Sequence, residues 1–192
     1  MKPFLVFLFT LIFYFTTTAQ VKPIYFIGDS TTTDKTKATA YGVSGKLSGD
    51  SLYMLKMYDL YDNLMQTGTY KDEKLTVPHG RFLYYSYVDD FNYDNETNFY
   101  LKDKDRFLSG QGDFVDGRKV GRWVKFFPDL KIFEITNYVL GLKHGEYKVF
   151  NRKGKITTAG NYKLDVKEGV WVYDYGKKEY YTDGLLTHTI QN

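Results

Sequence analysis

Two serines stand where they could act as nucleophiles. "IYFIGDSTTT" (24–33) holds Ser30 and "LSGDSLYML" (47–55) holds Ser51, each preceded by Gly-Asp. A serine attacks a carbonyl only when a base, usually histidine, takes its proton and a carboxylate orients that base. The chain offers three histidines, His79, His144 and His188, scattered along its length. His79 and His144 both directly precede a glycine of a repeated pattern, which marks them as turn residues. A second candidate chemistry is oxygen ligation. Asp90, Asn92 and Asp94 in "DDFNYDNE" (89–96) alternate as the first ligands of a calcium loop do, but the glycine expected next is Asn95. The position of the bidentate glutamate falls on Leu101, so a solvated hairpin tip is expected there and no metal site. There is no cysteine, which excludes a thiol nucleophile, a zinc–thiolate site and a disulfide framework.

Gly-Asp-Ser-Leu at 49–52 resembles the nucleophile block of a large family of serine esterases. That resemblance implies an Asn oxyanion donor in a Gly-x-Asn-Asp stretch and a C-terminal Asp-x-x-His. The first is absent, and Asp183 and His188 are five apart rather than three. It also implies an α/β sandwich with long helices, for which no helical stripe exists here. Ser30 and Ser51 are therefore expected in turns, one after a strand "PIYFI" and one before a strand "LYMLKMY". No catalytic residue and no cofactor is expected.

The elements that must carry these residues are legible from a period. The chain has 192 residues, room for one domain, and 19% of them are aromatic, with 19 Tyr and 15 Phe. "GRWVKFF" (121–127), "GEYKVFN" (145–151) and "GVWVYDY" (169–175) align at intervals of 24, with Gly121, Gly145 and Gly169 in one column. Two residues on stand Trp123, Tyr147 and Trp171; two residues before stand Lys119, Lys143 and Lys167. A second set, Phe114, Tyr138 and Tyr162, keeps the same period. Gly80 and Phe82 repeat the first element, and Gly68 and Tyr70 the second; the 17 residues beyond a repeat between Gly80 and Gly121 are assigned to an extended loop near 89–98. About 24 residues accommodate two strands of about 6–8 residues with their turns, and the commonest helical repeat needs about 34. Each repeat thus reads as a β-hairpin, and Gly154 in "NRKGK" falls where a positive φ is needed.

The predicted fold is all-β: a single elongated, twisted antiparallel sheet of about 12 strands. Its expected plan is a signal segment at 1–19, an N-terminal β segment at 20–66, repeats at 67–186 and a tail at 187–192. Rings at matching positions would pack on one another and shield the single layer. Phe82, Trp123, Tyr147 and Trp171 are expected on one face, as the candidate ligand-binding column; the lysines beside them are expected as solvated turn charges, with attraction of an anionic partner as the alternative.

The first 19 residues differ from the rest. Lys2 is their only charge, and "FLVFLFTLIFYF" (4–15) is an apolar run of 12, short of the roughly 20 needed to span a bilayer. Thr17 and Ala19 suit a cleavage point after Ala19. Export to the periplasm or beyond is expected, and without cysteine the mature chain is not expected to be a lipoprotein. A net charge of +3 from 26 basic and 23 acidic residues argues against nucleic acid as a partner.

"GRWVKFF", "HGEYKVFNRKGKITTAGNYK" and "EGVWVYDY" resemble MORN repeats (membrane occupation and recognition nexus), in particular a bacterial branch often labelled antitoxin-like. That branch reads Gly-x-Tyr-x-x-Gly-x-Lys-x-Gly-x-Trp-x-x-Tyr. Gly160, Tyr162, Lys167, Gly169 and Trp171 follow it, with Asp165 in place of the middle Gly and Asp174 in place of the last aromatic; Gly117 and Gly141 keep that middle Gly. "TDKTKATAYG" (33–42) and "KMYDLYDNLMQTGTY" (56–70) resemble the opening of exported members. The resemblance spans roughly 24–186 and implies a non-enzymatic scaffold or interaction protein. The expected partner is a protein, or a second copy through the sheet edges. An envelope glycan or lipid, or an exported toxin, is the alternative.

Overall fold

The computed structural model describes residues 23–28, 30–47, 49 and 51–191. The predicted signal segment 1–19 and its cleavage point, with Asp29 and Asp50 of the two Gly-Asp-Ser stretches, lie outside the described residues. Fourteen strands form one open antiparallel sheet. They are β1 (Ile24–Ile27), β2 (Ser30–Thr32), β3 (Ala40–Lys46), β4 (Tyr53–Asp59), β5 (Leu64–Tyr70), β6 (Gly80–Tyr87), β7 (Arg106–Val115), β8 (Arg118–Phe126), β9 (Ile132–Val139), β10 (Leu142–Phe150), β11 (Ile156–Lys163), β12 (Val166–Tyr173), β13 (Lys178–Thr182) and β14 (Leu185–Ile190). Order in the sheet follows order in the chain, except that β1 lies between β3 and the short edge strand β2. Ladder spacing gives the stack a length of about 60 Å. The all-β hairpin sheet read from the sequence is what the chain forms, with two strands more than expected. Residues 187–190 of the predicted tail belong to it, because β14 pairs with β13 from Thr182↔Leu185 to Lys178↔Ile190.

The repeated glycine column is a row of β-bulges. Between β7 and β8 the register passes from Gln111↔Val124 to Asp113↔Val120, two steps on one strand against four on the other. Thr136↔Tyr147 and Tyr138↔Lys143 bracket the same two-residue excess in β10, as do Ala159↔Val172 and Asn161↔Glu168 in β12. Within each excess stands Gly121, Gly145 or Gly169, with φ of 62°, 90° and 68°. A Cβ on Gly169 would meet no atom within 4 Å, so its requirement is backbone conformation and not space.

The bulge throws the ring two residues later across the neighbouring strand, and there a second glycine is needed for the opposite reason. A Cβ on Gly112 would stand 2.1 Å from the Trp123 ring, one on Gly160 2.2 Å from Trp171, and one on Gly68 2.3 Å from Phe82. None of these three has a positive φ; each is a seat for a ring. Gly42 seats Leu55 in the same way, with 2.7 Å to its Cδ1. The middle repeat departs consistently: Thr136 takes the seat, and the ring paired with it is the smaller Tyr147.

The turns at one end of the hairpins lock onto the bulges. Asp116-Gly117, Leu140-Gly141, Leu164-Asp165 and Asp183-Gly184 are two-residue turns with both central φ positive, the type I′ geometry that suits strand twist. The amide of the second residue donates to the carbonyl two residues before the adjacent bulge glycine. Gly117 N–H reaches Pro78 O at 2.8 Å, Gly141 reaches Lys119 at 2.9 Å, and Asp165 reaches Lys143 at 2.9 Å. Asp165 replaces the middle glycine of the repeat without disturbing this, because aspartate tolerates the left-handed region. At the other end, residues 59–63, 127–131, 151–155 and 173–177 close five-residue loops, each with the first N–H on the fifth carbonyl at 2.8–2.9 Å. Gly154, with φ 79°, occupies the expected turn position.

One expectation is overturned. The stretch read as a hairpin tip at 89–98 is an α-helix, α1 (Val88–Asn95), and the insertion between β6 and β7 runs from 88 to 105. The Asn/Asp-rich composition signals a turn locally. Tertiary packing overrides it, because Phe91 lies edge-on to Phe107, Phe127 and Phe133 at 5.6–5.9 Å and also contacts Phe99. Asp89 and Asp90 in the first turn suit the helix dipole. The sheet is thus not bare on both sides. Val88, Phe99, Phe107 and Phe127 form one core under α1, and Phe26, Ala40, Leu55, Tyr70 and Phe82 form another beneath the loop 71–79, whose Leu75 packs on it.

Candidate functional site

The predicted ring column forms two aromatic groups, one on each side of Thr136. Phe82, Phe114 and Trp123 follow one another at 4.7 and 5.0 Å between ring centroids. Beyond the Thr136 seat, Tyr147, Tyr162 and Trp171 pack at 4.9–5.5 Å. Each tryptophan N–H donates to a carbonyl beside its seat, Trp123 to Asp113 O at 3.2 Å and Trp171 to Asn161 O at 3.1 Å. Phe82 and Trp171 are each only 1% exposed, which leaves Trp123 and Tyr147 as the half-buried rings of the four.

The three lysines of the repeat are not free turn charges. Lys119 Nζ lies 4.3 Å from the Trp123 ring centroid, Lys143 5.0 Å from Tyr162, and Lys167 4.6 Å from Trp171. A cation over a ring is attracted by its quadrupole, and the residue order Lys-x-Gly-x-Trp across the bulge brings the two together. Lys167 also donates to Tyr173 OH at 2.7 Å and lies 3.8 Å from Glu179. Lys119 has no carboxylate within 4.0 Å among the described residues.

This face carries two adjoining cavities, one of about 620 Å³ and one of about 660 Å³, and Tyr84 lines both. The first lies between α1 and the ring row. Trp123, Tyr84 and Tyr138 form its aromatic wall, Lys119, Lys125 and Glu134 its charged side, and Ser86, Ser109, Asp94 and Asn95 its polar rim. The second runs under the loop 71–79 past Phe82, Phe114 and Tyr70 to Ser30 and Thr31. The two cavities adjoin at Tyr84.

The electrostatics of the first cavity follow from burial. Desolvation, with the charges of Lys125 and Lys143 nearby, pushes the Lys119 ammonium below the usual lysine range. Burial raises Tyr138 and Tyr147 above the usual phenol range, and the Glu134 carboxylate adds to both. Glu134 is already engaged: it accepts from Thr136 Oγ1 at 3.1 Å and Tyr147 OH at 3.3 Å, and pairs with Lys125 at 3.1 Å.

The other sequence candidates are not brought together. Ser30 is not a turn residue but opens β2, paired with Ile27; Ser51 sits in a bend before β4, as expected. The described walls of the cavity that Ser30 lines contain no histidine, aspartate or glutamate. His79 Nδ1 accepts from Asp116 N–H at 3.4 Å, His144 lies in β10 at a bulge, and His188 lies 5.6 Å from the Tyr180 ring in β14. Asp90, Asn92 and Asp94 are on α1. Asn92 accepts from Phe99 N–H at 2.7 Å and Thr97 Oγ1 at 2.9 Å, so its carboxamide fastens the loop after the helix.

A polar junction unforeseen from the sequence ties β4, β6 and β7 together. Asp59 Oδ2 accepts from Tyr87 OH at 2.6 Å and lies 3.5 Å from Arg106 Nη1. Arg106 stacks over Tyr87 at 4.3 Å and donates to Leu64 O at 2.7 Å. Burial pushes the Asp59 carboxyl up. The hydrogen bonds from Tyr87, Asn63 and Tyr61 outweigh that and hold it at about 2.

Comparison with known protein families, with curated proteins and with solved structures found no match to this chain.

Proposed function

We propose that the chain is a non-enzymatic, exported MORN-type scaffold that works by holding a partner on the ring-bearing face of its sheet. The observation that carries this reading is the pair of adjoining cavities on that face, with Trp123 and Tyr84 in the wall of the first and Tyr84 shared with the second. A preformed concave site with an aromatic wall and placed polar groups is the usual form of a binding site. The repeat columns on which the MORN resemblance rests also have consistent physical roles here. Gly169 makes the bulge, Gly160 seats Trp171, and Lys167 lies on that ring. Export rests on the apolar run at 4–15 and Ala19. The free edge of β14, exposed at all six residues, offers backbone groups to a second copy or a partner strand.

The test has two parts. Cell fractionation should place the protein outside the cytoplasm. Immobilised protein should retain a defined envelope component, and Ser86→Tyr, which fills the first cavity, should release it while Leu140→Asn on a hairpin turn should not. Retention of nothing, or equal retention by Ser86→Tyr, sinks the reading.

A further inference from the structure

The three repeat lysines each lie on a ring, but only Lys167 has a described carboxylate within 4.0 Å; Lys143 and Lys119 have none, and of those two only Lys119 lines the first cavity. Lys167 has Glu179 at 3.8 Å and two tyrosine hydroxyls, at 2.7 and 3.1 Å. Lys119 has the Trp123 and Tyr138 rings, at 4.3 and 5.3 Å, and no described carboxylate within ion-pair reach. It is half-buried, and the cavity of about 620 Å³ opens beside it. Glu134, the carboxylate whose charge acts on it, is occupied by Lys125 at 3.1 Å, Thr136 and Tyr147. A half-buried cation without an anion is an unfavourable arrangement that an incoming anion relieves. Desolvation has already pushed Lys119 toward its neutral form, and a bound anion would reverse that.

We propose that this cavity binds an acidic saccharide, with a pyranose ring against Trp123 and Tyr84 and its carboxylate on Lys119. The proposal rests on the reading of this face as the binding surface and names its ligand class. A pyranose has an apolar C–H face and a rim of hydroxyls. The cavity offers the matching pair, aromatic rings on one side and Ser86, Ser109, Asn95 and the Asp94 carboxylate on the other, with Lys119 on the ring side. Lys119 supplies the selection for a negative charge. The second cavity, reached past Tyr84, gives a chain of several sugars a path to continue.

The two tryptophans make the test direct, because Trp171 is 1% exposed and Trp123 lines the cavity. Tryptophan emission of the full chain would be titrated with hexagalacturonate, with neutral cellohexaose and with phosphatidylglycerol vesicles at one fixed ionic strength. Hexagalacturonate should perturb the emission saturably, with cellohexaose weaker by about tenfold or more. Lys119→Met should weaken hexagalacturonate binding by about tenfold, and Lys119→Arg should keep it within about threefold. Thermal melting of both variants checks that they fold. Equal binding of the two hexamers, an unaffected Lys119→Met, binding of vesicles alone, or no binding overturns the proposal. If an envelope component is still retained and released by Ser86→Tyr in that case, the scaffold reading stands and only the ligand class is wrong.

Discussion

Gly160→Ala adds one methyl group, and the structure gives it nowhere to go. The new Cβ would lie 2.2 Å from Trp171 Cδ2 and 2.4 Å from Cε2, against ordinary contacts of 3.4 Å or more. The indole cannot retreat freely. Its N–H is held by Asn161 O at 3.1 Å, and Tyr162 and Tyr147 close on it at 4.9 and 5.5 Å. Overpacking of this kind costs about 1–3 kcal/mol, and loss of the indole hydrogen bond adds about 1 kcal/mol. Restricting the unfolded chain returns about 0.4–1 kcal/mol. A net loss of about 2–3 kcal/mol lowers the Tm of a chain this size by roughly 5–10 °C, measured by circular dichroism. Gly169→Ala is the contrast: no atom lies within 4 Å, so only the left-handed φ is strained, at about 1 kcal/mol. Gly160→Thr with Trp171→Tyr copies the Thr136–Tyr147 pair, and the double variant should be more stable than the two single effects add to, by about 1–2 kcal/mol. A Gly160→Ala protein that melts within about 2 °C of wild type, or strict additivity in the cycle, refutes the ring-on-glycine account.

Three further outcomes are expected. Leu164 is 55% exposed with φ 51°, so Leu164→Asn should raise the Tm by a few degrees, worth about 0.5–1 kcal/mol, in the same melting assay. Tyr87→Phe removes the hydroxyl that donates to Asp59 at 2.6 Å and should cost about 1–3 kcal/mol in urea unfolding, with an unchanged m-value. Asp59 is held at about 2 against an ordinary 3.8. Bonds from Lys177, Tyr173 and Tyr181 hold Glu179 at about 2 against an ordinary 4.5. Both folded values are depressed, so both carboxylates stabilise the fold above the ordinary values, and that stability is lost as pH falls toward 2. Unfolding free energy measured across that window should drop, and Asp59→Asn should flatten part of the slope.

The hairpin array was legible because its signals are local. A positive φ at Gly154 or Gly169 is a property of one residue's backbone, and alternation along "KIFEITNYVL" is a property of one strand. The 24-residue column therefore located hairpins, turns and rings before any packing was known; it read the repeated glycines, and His144 before one of them, as turn positions, and the structure puts them in bulges within strands. Ser30 was misplaced by little, since it flanks its turn instead of forming it. The segment 88–95 was misread for the opposite reason. Its Asn and Asp residues favour a turn, and only the distant rings of Phe127 and Phe133 give Phe91 a reason to fold inward on a helix. The lysines were misread because a charge beside a turn is normally solvated; the bulge turns Lys119 back onto Trp123.

The sequence by itself determined a period, a strand length, the turn residues and the aromatic columns, since each follows from the φ preference or alternation of a few neighbouring residues. Only the tertiary structure decided which glycines are there for conformation and which for space. Gly160 and Gly169 are indistinguishable in the sequence until Trp171 is seen lying over one of them. It also decided that Lys119 stands without a carboxylate beside a cavity while Lys167 reaches Glu179. Those differences depend on which side chains of other strands come within a few ångströms, and cross-strand register sets that.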